Sequence, residues 1–175
     1  MNAEVKNTEV TATPATAVTP AATLTPAVYN AFVGSATLRD IRLMKSDFLL
    51  SEMVLDDEPI GGNMHQTCEI ESAEYDAETD VLAAWVVAEA TYKKKSKKLL
   101  ALRCQYLIVY NVEKKPEQSA IDAFARRVAR FAAYPYFRAH FAEVCSQSGV
   151  QLPPLPVIKE TRLIPNDRPK PSEPE

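Results

Sequence analysis

The chain is 175 residues long, 46% hydrophobic and 25% charged, with 13 prolines, 4 glycines, 3 cysteines and a formal net charge of -3. That length suits one domain with terminal extensions, and the apolar content is enough for a packed core. The charge balance excludes a basic nucleic-acid footprint, and no apolar run approaches the roughly 18 residues of a membrane span.

The start of the chain lacks the basic and apolar regions of a signal peptide. Cys68, Cys104 and Cys145 stand far apart with no C-x-x-C, and three thiols cannot complete a disulfide framework. A reducing, cytoplasmic setting is the expectation.

Proline placement draws the boundaries. Pro14, Pro20 and Pro26 lie near the start and seven lie from Pro153 onward. Residues 1–34 form a Thr/Ala/Pro-rich tract with too few large apolar groups to offset its ordering entropy, and residues 161–175 are Pro-rich and charged. Both are expected to be disordered tails around a folded unit over 35–160.

Leu38 to Lys45 suits a first strand. An apolar connection follows through Phe48, Leu50, Met53 and Leu55 to Ile60-Gly61-Gly62, where the glycines suggest a turn needing positive φ. Cys68, Ile70 and Ser72 alternate with Glu69, Glu71 and Ala73 as a second strand, and Glu74 to Asp80 supplies a polar turn. From Val81 to Ala88 both alternating sets are apolar, so this strand is central and its second face is either covered or meets a partner. The lysines at 93, 94, 95, 97 and 98 then read as a hairpin tip before Leu100, Leu102, Cys104, Tyr106, Ile108 and Tyr110 alternate again. Four strands in meander order favour an antiparallel sheet.

The period next changes to that of a helix. Ser119 with Asp122 resembles a capping box, and Ile121, Phe124, Val128 and Phe131 make one apolar stripe. Pro135 is expected to end or kink this helix. A second carries Phe137, Phe141 and Val144 and stops at Gly149. Strands first and helices second is the α+β arrangement.

Catalytic chemistry finds little support. His65 and His140 have no Cys or second His at metal-ligand spacing, and no phosphate-loop pattern surrounds Gly61-Gly62, so no metal or cofactor is expected. The lysine cluster lacks the aromatic interleaving of a single-strand binder and reads as a solvated tip guarding against edge pairing. The surplus of large apolar residues is more informative. It calls for either subunit interfaces or a groove for apolar ligands, for which adaptable Met and aromatic side chains are suited.

Tyr134-Pro135-Tyr136-Phe137-Arg138, followed by Ser146-Gln147-Ser148-Gly149 and Leu152-Pro153-Pro154-Leu155-Pro156-Val157, resembles the signature of the SecB family of export chaperones. Arg39-Asp40-Ile41 is similar to that family's basic-Asp-Ile opening, and element order matches over about residues 36 to 158. The resemblance implies a four-stranded antiparallel sheet with two C-terminal helices, assembled as a homotetramer, a dimer of dimers. It also implies an ATP-independent holdase that keeps unfolded polypeptides, preproteins among them, export-competent for the motor SecA.

Carried over by position, the client groove draws on Phe48, Leu50, Met53, Leu55, Ile60, Met64, Phe137, Phe141 and Val144. Trp85, Ile121, Phe124, Val128 and Phe131 are the expected oligomer contacts, and Asp40 matches an acid through which the family docks SecA. Four residues on, however, stands Met44, and Arg103 occupies a place where another acid is looked for. These departures point towards a chaperone dedicated to one client, such as the antitoxin of a toxin–antitoxin pair. A small apolar-ligand-binding α+β domain, or an assembly protein whose apolar excess is all interface, are the competing readings.

Overall fold

The computed structural model describes residues 24–52 and 62–158. In chain order it contains helix α1 (Pro26–Ser35), strands β1 (Ala36–Leu50), β2 (Asn63–Asp76), β3 (Val81–Lys94) and β4 (Lys97–Val112), and helices α2 (Gln118–Phe124) and α3 (Arg130–Gln147). A π-helical turn over Ala125–Ala129 joins the last two. The molecule is thus α+β, with a four-stranded antiparallel sheet and two C-terminal helices.

The strand order is β1-β4-β3-β2, so the expected meander is corrected: β1 pairs with β4, from Ala36 opposite Val112 to Leu50 opposite Leu100. The reason lies in the connections. Tight turns join β2 to β3 and β3 to β4, with Asp80 and Lys95 in the left-handed region at φ 53° and 55°. Residues 51–62 are too many for a tight hairpin and let the chain cross to the far side of the sheet.

Strict alternation decides the two faces. Leu82, Ala84, Val86, Ala88 and Ala90 of β3 are fully buried, as are Cys104 and Ile108 of β4, and these pack under the helices. Their alternates Ala83, Trp85 and Val87 are only half-buried. The apolar character of β3 on both faces therefore corresponds to one face packed on helices and one left open in the protomer.

α2, the π-turn and α3 run on from Gln118 to Gln147, a rod of about 45 Å. Pro135 lies inside α3 and does not end a helix, which corrects that expectation; the two helices meet ten residues earlier, at the π-turn. A π-turn adds a residue to the turn and rotates everything beyond it. The buried series accordingly passes from Ile121 and Phe124 to Ala125, Ala129 and Ala133, while Val128 and Phe131 swing to half-buried positions.

The capping box also fails. Glu117 is the N-cap without a side-chain bond, and Ser119 sits within the first turn, its hydroxyl buried and unpartnered. Gly149, by contrast, closes α3 as expected. At φ 69° it lets Val150 N donate to Cys145 O at 2.9 Å and its own N donate to Ser146 O at 3.1 Å, the double bond of a Schellman stop.

The expected disorder of residues 1–34 is corrected over Pro26–Gly34, where α1 forms. Thr25 caps it by accepting from Val28 N at 3.4 Å, and a proline occupies the first turn, where its missing N–H costs nothing. Phe32 is buried on α2, its ring 5.1 Å from that of Phe124, which in turn meets Tyr110 of β4 edge-on at 4.8 Å. Residues 1–23 and 161–175 lie outside the described residues.

Candidate functional site

Cross-strand register shows what each part of the covered face can offer, because residues directly opposite one another share a face. One row runs Leu38–Tyr110–Leu82–Tyr75 and lies at the end packed by α2 through Tyr110. α3 crosses the middle. Cys68 Sγ on β2 donates to Arg130 O at 3.8 Å near the start of α3, and His140 Nε2 is hydrogen-bonded to Ser46 Oγ on β1 at 2.9 Å ten residues later. The far end is the row Leu50–Leu100–Tyr92–Met64.

The middle of this face is sealed and its β1 side is not. Opposite the buried Tyr106 and Leu102 stand Leu43 and Phe48 of β1, respectively 44% and 37% exposed, and Leu38 is similarly open. The helices thus cover β4, β3 and parts of β2 and β1, where Ser46 is bonded to His140, and leave Leu38, Leu43 and Phe48 exposed on an edge strand of 15 residues.

Of the expected groove residues, the structure gathers Phe48, Leu50 and Met64 at one end of this face, with Phe48 exposed and the other two half-buried. Met53, Leu55 and Ile60 lie outside the described residues. Phe137 and Phe141 are buried in the core and present no surface to a groove, which corrects their assignment; Val144 is half-buried. Both rings are buried because α3 turns them onto the sheet. Among the expected oligomer contacts, Ile121 and Phe124 are buried within the protomer, whereas Trp85, Val128 and Phe131 keep half-exposed surface.

Leu38, Leu43, Met44 and Leu49 are the exposed apolar residues that sequence reasoning missed. Only the tertiary structure shows which apolar residues of this strand are left exposed.

The Tyr-Pro-Tyr-Phe-Arg stretch and the Leu/Pro-rich exit prove to be one hydrogen-bonded unit. Arg138 Nε donates to Leu155 O at 2.9 Å, and Tyr134 Oη lies 2.5 Å from Pro156 O and 2.8 Å from Gln66 Oε1. Gln66 Nε2 also donates to Pro156 O, at 3.4 Å. The exit segment therefore lies back against α3 and β2, with Leu155 buried.

The open face has a different character. Trp85, Leu107 and Val109 form its centre, and register places Asp40, Arg42, Lys45 and Asp47 of β1 on the same side. Three of its carboxylates pair with cations: Arg42 Nε donates to Asp40 Oδ2 at 2.5 Å, Lys45 Nζ reaches Asp47 Oδ2 at 2.9 Å, and Arg103 pairs with Glu89, while Glu69, Glu71 and Glu74 of β2 lie on the same face. Asp40, the expected SecA contact, is thus already neutralised by its neighbour.

All three thiols are free and buried. Desolvation pushes Cys68 up to about 11, against the smaller opposing effect of Arg130, and raises Cys104 and Cys145 as well. They are protonated packing groups at neutral pH. The described residues contain no cluster of three or more His, Cys, Asp or Glu able to hold a metal, and no helix among them is long and apolar enough to cross a membrane.

No protein-family model matches the chain, and no curated protein does. Among solved structures, the Mycobacterium tuberculosis Rv1957 SecB-like chaperone, in complex with a ChAD peptide from the Rv1956 HigA1 antitoxin, superimposes with a TM-score of 0.64. The match covers 76% of this chain and 97% of that one at 16% identity. The fold is that of a SecB-like chaperone. A protein of unknown function from Streptococcus agalactiae matches with a TM-score of 0.35 at 8% identity, over 71% of this chain and 96% of that one. In the SecB-like fold of this chain, the exposed apolar residues of β1 and the cleft holding the exit segment lie on the helix-bearing face.

Proposed function

We propose that this protein is an ATP-independent molecular chaperone, a holdase that binds unfolded polypeptides through apolar surface and needs no catalytic residue. The SecB-like fold over three quarters of the chain is the observation that carries this reading. Exposed Leu38, Leu43 and Phe48 on the helix side of β1 add apolar surface that a client or a second copy can cover. A non-native chain exposes apolar side chains that a folded one has buried, so selectivity comes from what the client still exposes.

The working unit is a homotetramer. β1 is a sheet edge with unpaired backbone groups and apolar side chains, which suits pairing with a second copy, and Val128, Phe131 and Trp85 offer further contact surface. Several grooves on one assembly engage one client at high effective concentration, so weak contacts sum to tight binding. The setting is the cytoplasm, in keeping with three unpaired thiols.

Two client ranges follow from the same fold. Preproteins destined for the Sec translocase require SecA docking on the open sheet face. A single dedicated client, such as an antitoxin, does not, and the ion pairs that neutralise Asp40, Asp47 and Glu89 favour this second range.

Calorimetric titration with one polypeptide in two forms, permanently unfolded by reduction and alkylation and native, tests the reading. Tight binding of the unfolded form alone is expected. Binding of neither form removes the general holdase, and a parallel titration with SecA separates the two client ranges.

A further inference from the structure

The segment Leu152–Ile158 has neither helix nor strand to satisfy its backbone, and three of its residues, Pro153, Pro154 and Pro156, have no N–H to offer. It cannot join the β2 edge as a strand. It is held instead by its carbonyl groups: Leu155 O accepts from Arg138 Nε, and Pro156 O accepts from Gln66 Nε2 and lies within reach of Tyr134 Oη. Leu155 is buried and Leu152 and Ile158 are half-buried against the core, while Val157 is 65% exposed and the prolines face solvent. A cleft that grips backbone carbonyls and a few aliphatic side chains recognises features that every extended apolar polypeptide possesses.

The cleft is also arranged to survive the loss of its occupant. A tyrosine hydroxyl has a single proton, and that of Tyr134 lies between two acceptors, Pro156 O at 2.5 Å and Gln66 Oε1 at 2.8 Å. When the segment leaves, the Tyr134 hydroxyl keeps Gln66 Oε1 as its acceptor, so this donor is not orphaned. Gln66 sits two residues from Met64 on β2, so the vacated cleft is continuous with the apolar end of the sheet.

We propose that Leu152–Ile158 is a built-in, displaceable occupant of a peptide-binding cleft formed by Gln66, Tyr134 and Arg138, and that an extended apolar segment of an unfolded polypeptide takes its place. This deepens the holdase reading and rests on it for the identity of the incoming chain. The segment acts as an intramolecular competitor, so that weakly apolar chains are turned away and only segments that outcompete a tethered Leu-Pro sequence are held.

A fluorophore on Val157→Cys of the full-length protein reports the segment directly, since the three native thiols are buried. Circular dichroism confirms the fold of each labelled protein. A synthetic peptide with the sequence of residues 150–158, and separately a reduced and alkylated polypeptide, are then added while anisotropy is followed. The unfolded polypeptide is expected to release the label, the peptide to do so only near the roughly millimolar effective concentration of the tethered segment, and Leu155→Ala to lower the concentration for half-release about tenfold.

Release by the peptide without binding of the unfolded polypeptide supports the cleft and removes the holdase. Binding of the unfolded polypeptide with the label still immobile overturns the displaceable occupant and leaves the holdase in place. A label that neither probe moves, with Leu155→Ala unchanged, also overturns it.

Discussion

At Gly62 the missing side chain matters through space rather than through backbone angle. A Cβ there would meet Tyr92 Oη at 2.5 Å and Lys93 O at 2.6 Å, and the second of these is backbone that cannot swing aside. Gly62→Ala is therefore expected to cost about 1–3 kcal/mol in urea denaturation by forcing the start of β2 off β3. The positive-φ turn expected from the glycine pair is not what Gly62 supplies; the only positive-φ glycine among the described residues is Gly149.

Cys68 gives a prediction at high pH. Its folded-state pKa is raised to about 11 by burial, so the folded protein holds the proton after the unfolded chain has lost it. That contribution to stability is fully present below pH 9 and is lost as pH rises towards 11, by about 2 kcal/mol. Stability measured across that window should fall less steeply in Cys68→Ala, with Cys104, Cys145, Tyr92, Tyr106, Tyr110 and Tyr134, also raised by burial, contributing to the remaining slope.

At the scale of elements, α1 shows why composition misled. Leu24 to Ser35 follows a Thr/Ala/Pro-rich run, and the helix itself is only weakly amphipathic, but one residue, Phe32, reaches the core. Removing that ring by Phe32→Ala should destabilise the protein by about 3 kcal/mol in chemical denaturation, where an appended helix would show almost no change. The contact with Phe124 is long-range, so nothing near residue 32 in the sequence announces it. The π-turn was equally invisible: Ile121, Phe124, Val128 and Phe131 fit a regular helix, and only packing reveals that the register shifts at Ala125–Ala129. The strands, by contrast, were legible because alternation over β3 and β4 is a local property written at period two.

For the whole molecule, the helices cover one face of the sheet incompletely, and the partly uncovered strand is an edge. If that edge is the contact between copies in the proposed homotetramer, Leu43→Glu, which places a charge among the exposed apolar residues of β1, should shift the species measured by light scattering to a smaller one while the circular dichroism spectrum is kept. An unchanged mass would move the assembly surface to Val128 and Phe131 or to the open face around Trp85.

The sequence alone determined the four strands, the helical stretch after them and the α+β class, because alternation, helical stripes and a Gly149 stop depend on neighbours a few residues away. It also carried the Tyr-Pro-Tyr-Phe-Arg and Leu-Pro stretches by which the chain resembles the SecB family. Only the tertiary structure decided that β1 crosses to β4, that Phe137 and Phe141 belong to the core while Leu38 and Leu43 face outward, and that Tyr134 and Arg138 hold the exit segment by its carbonyls. Apolar residues of the same kind serve core and surface alike, and which they serve depends on where a helix some hundred residues away comes to lie.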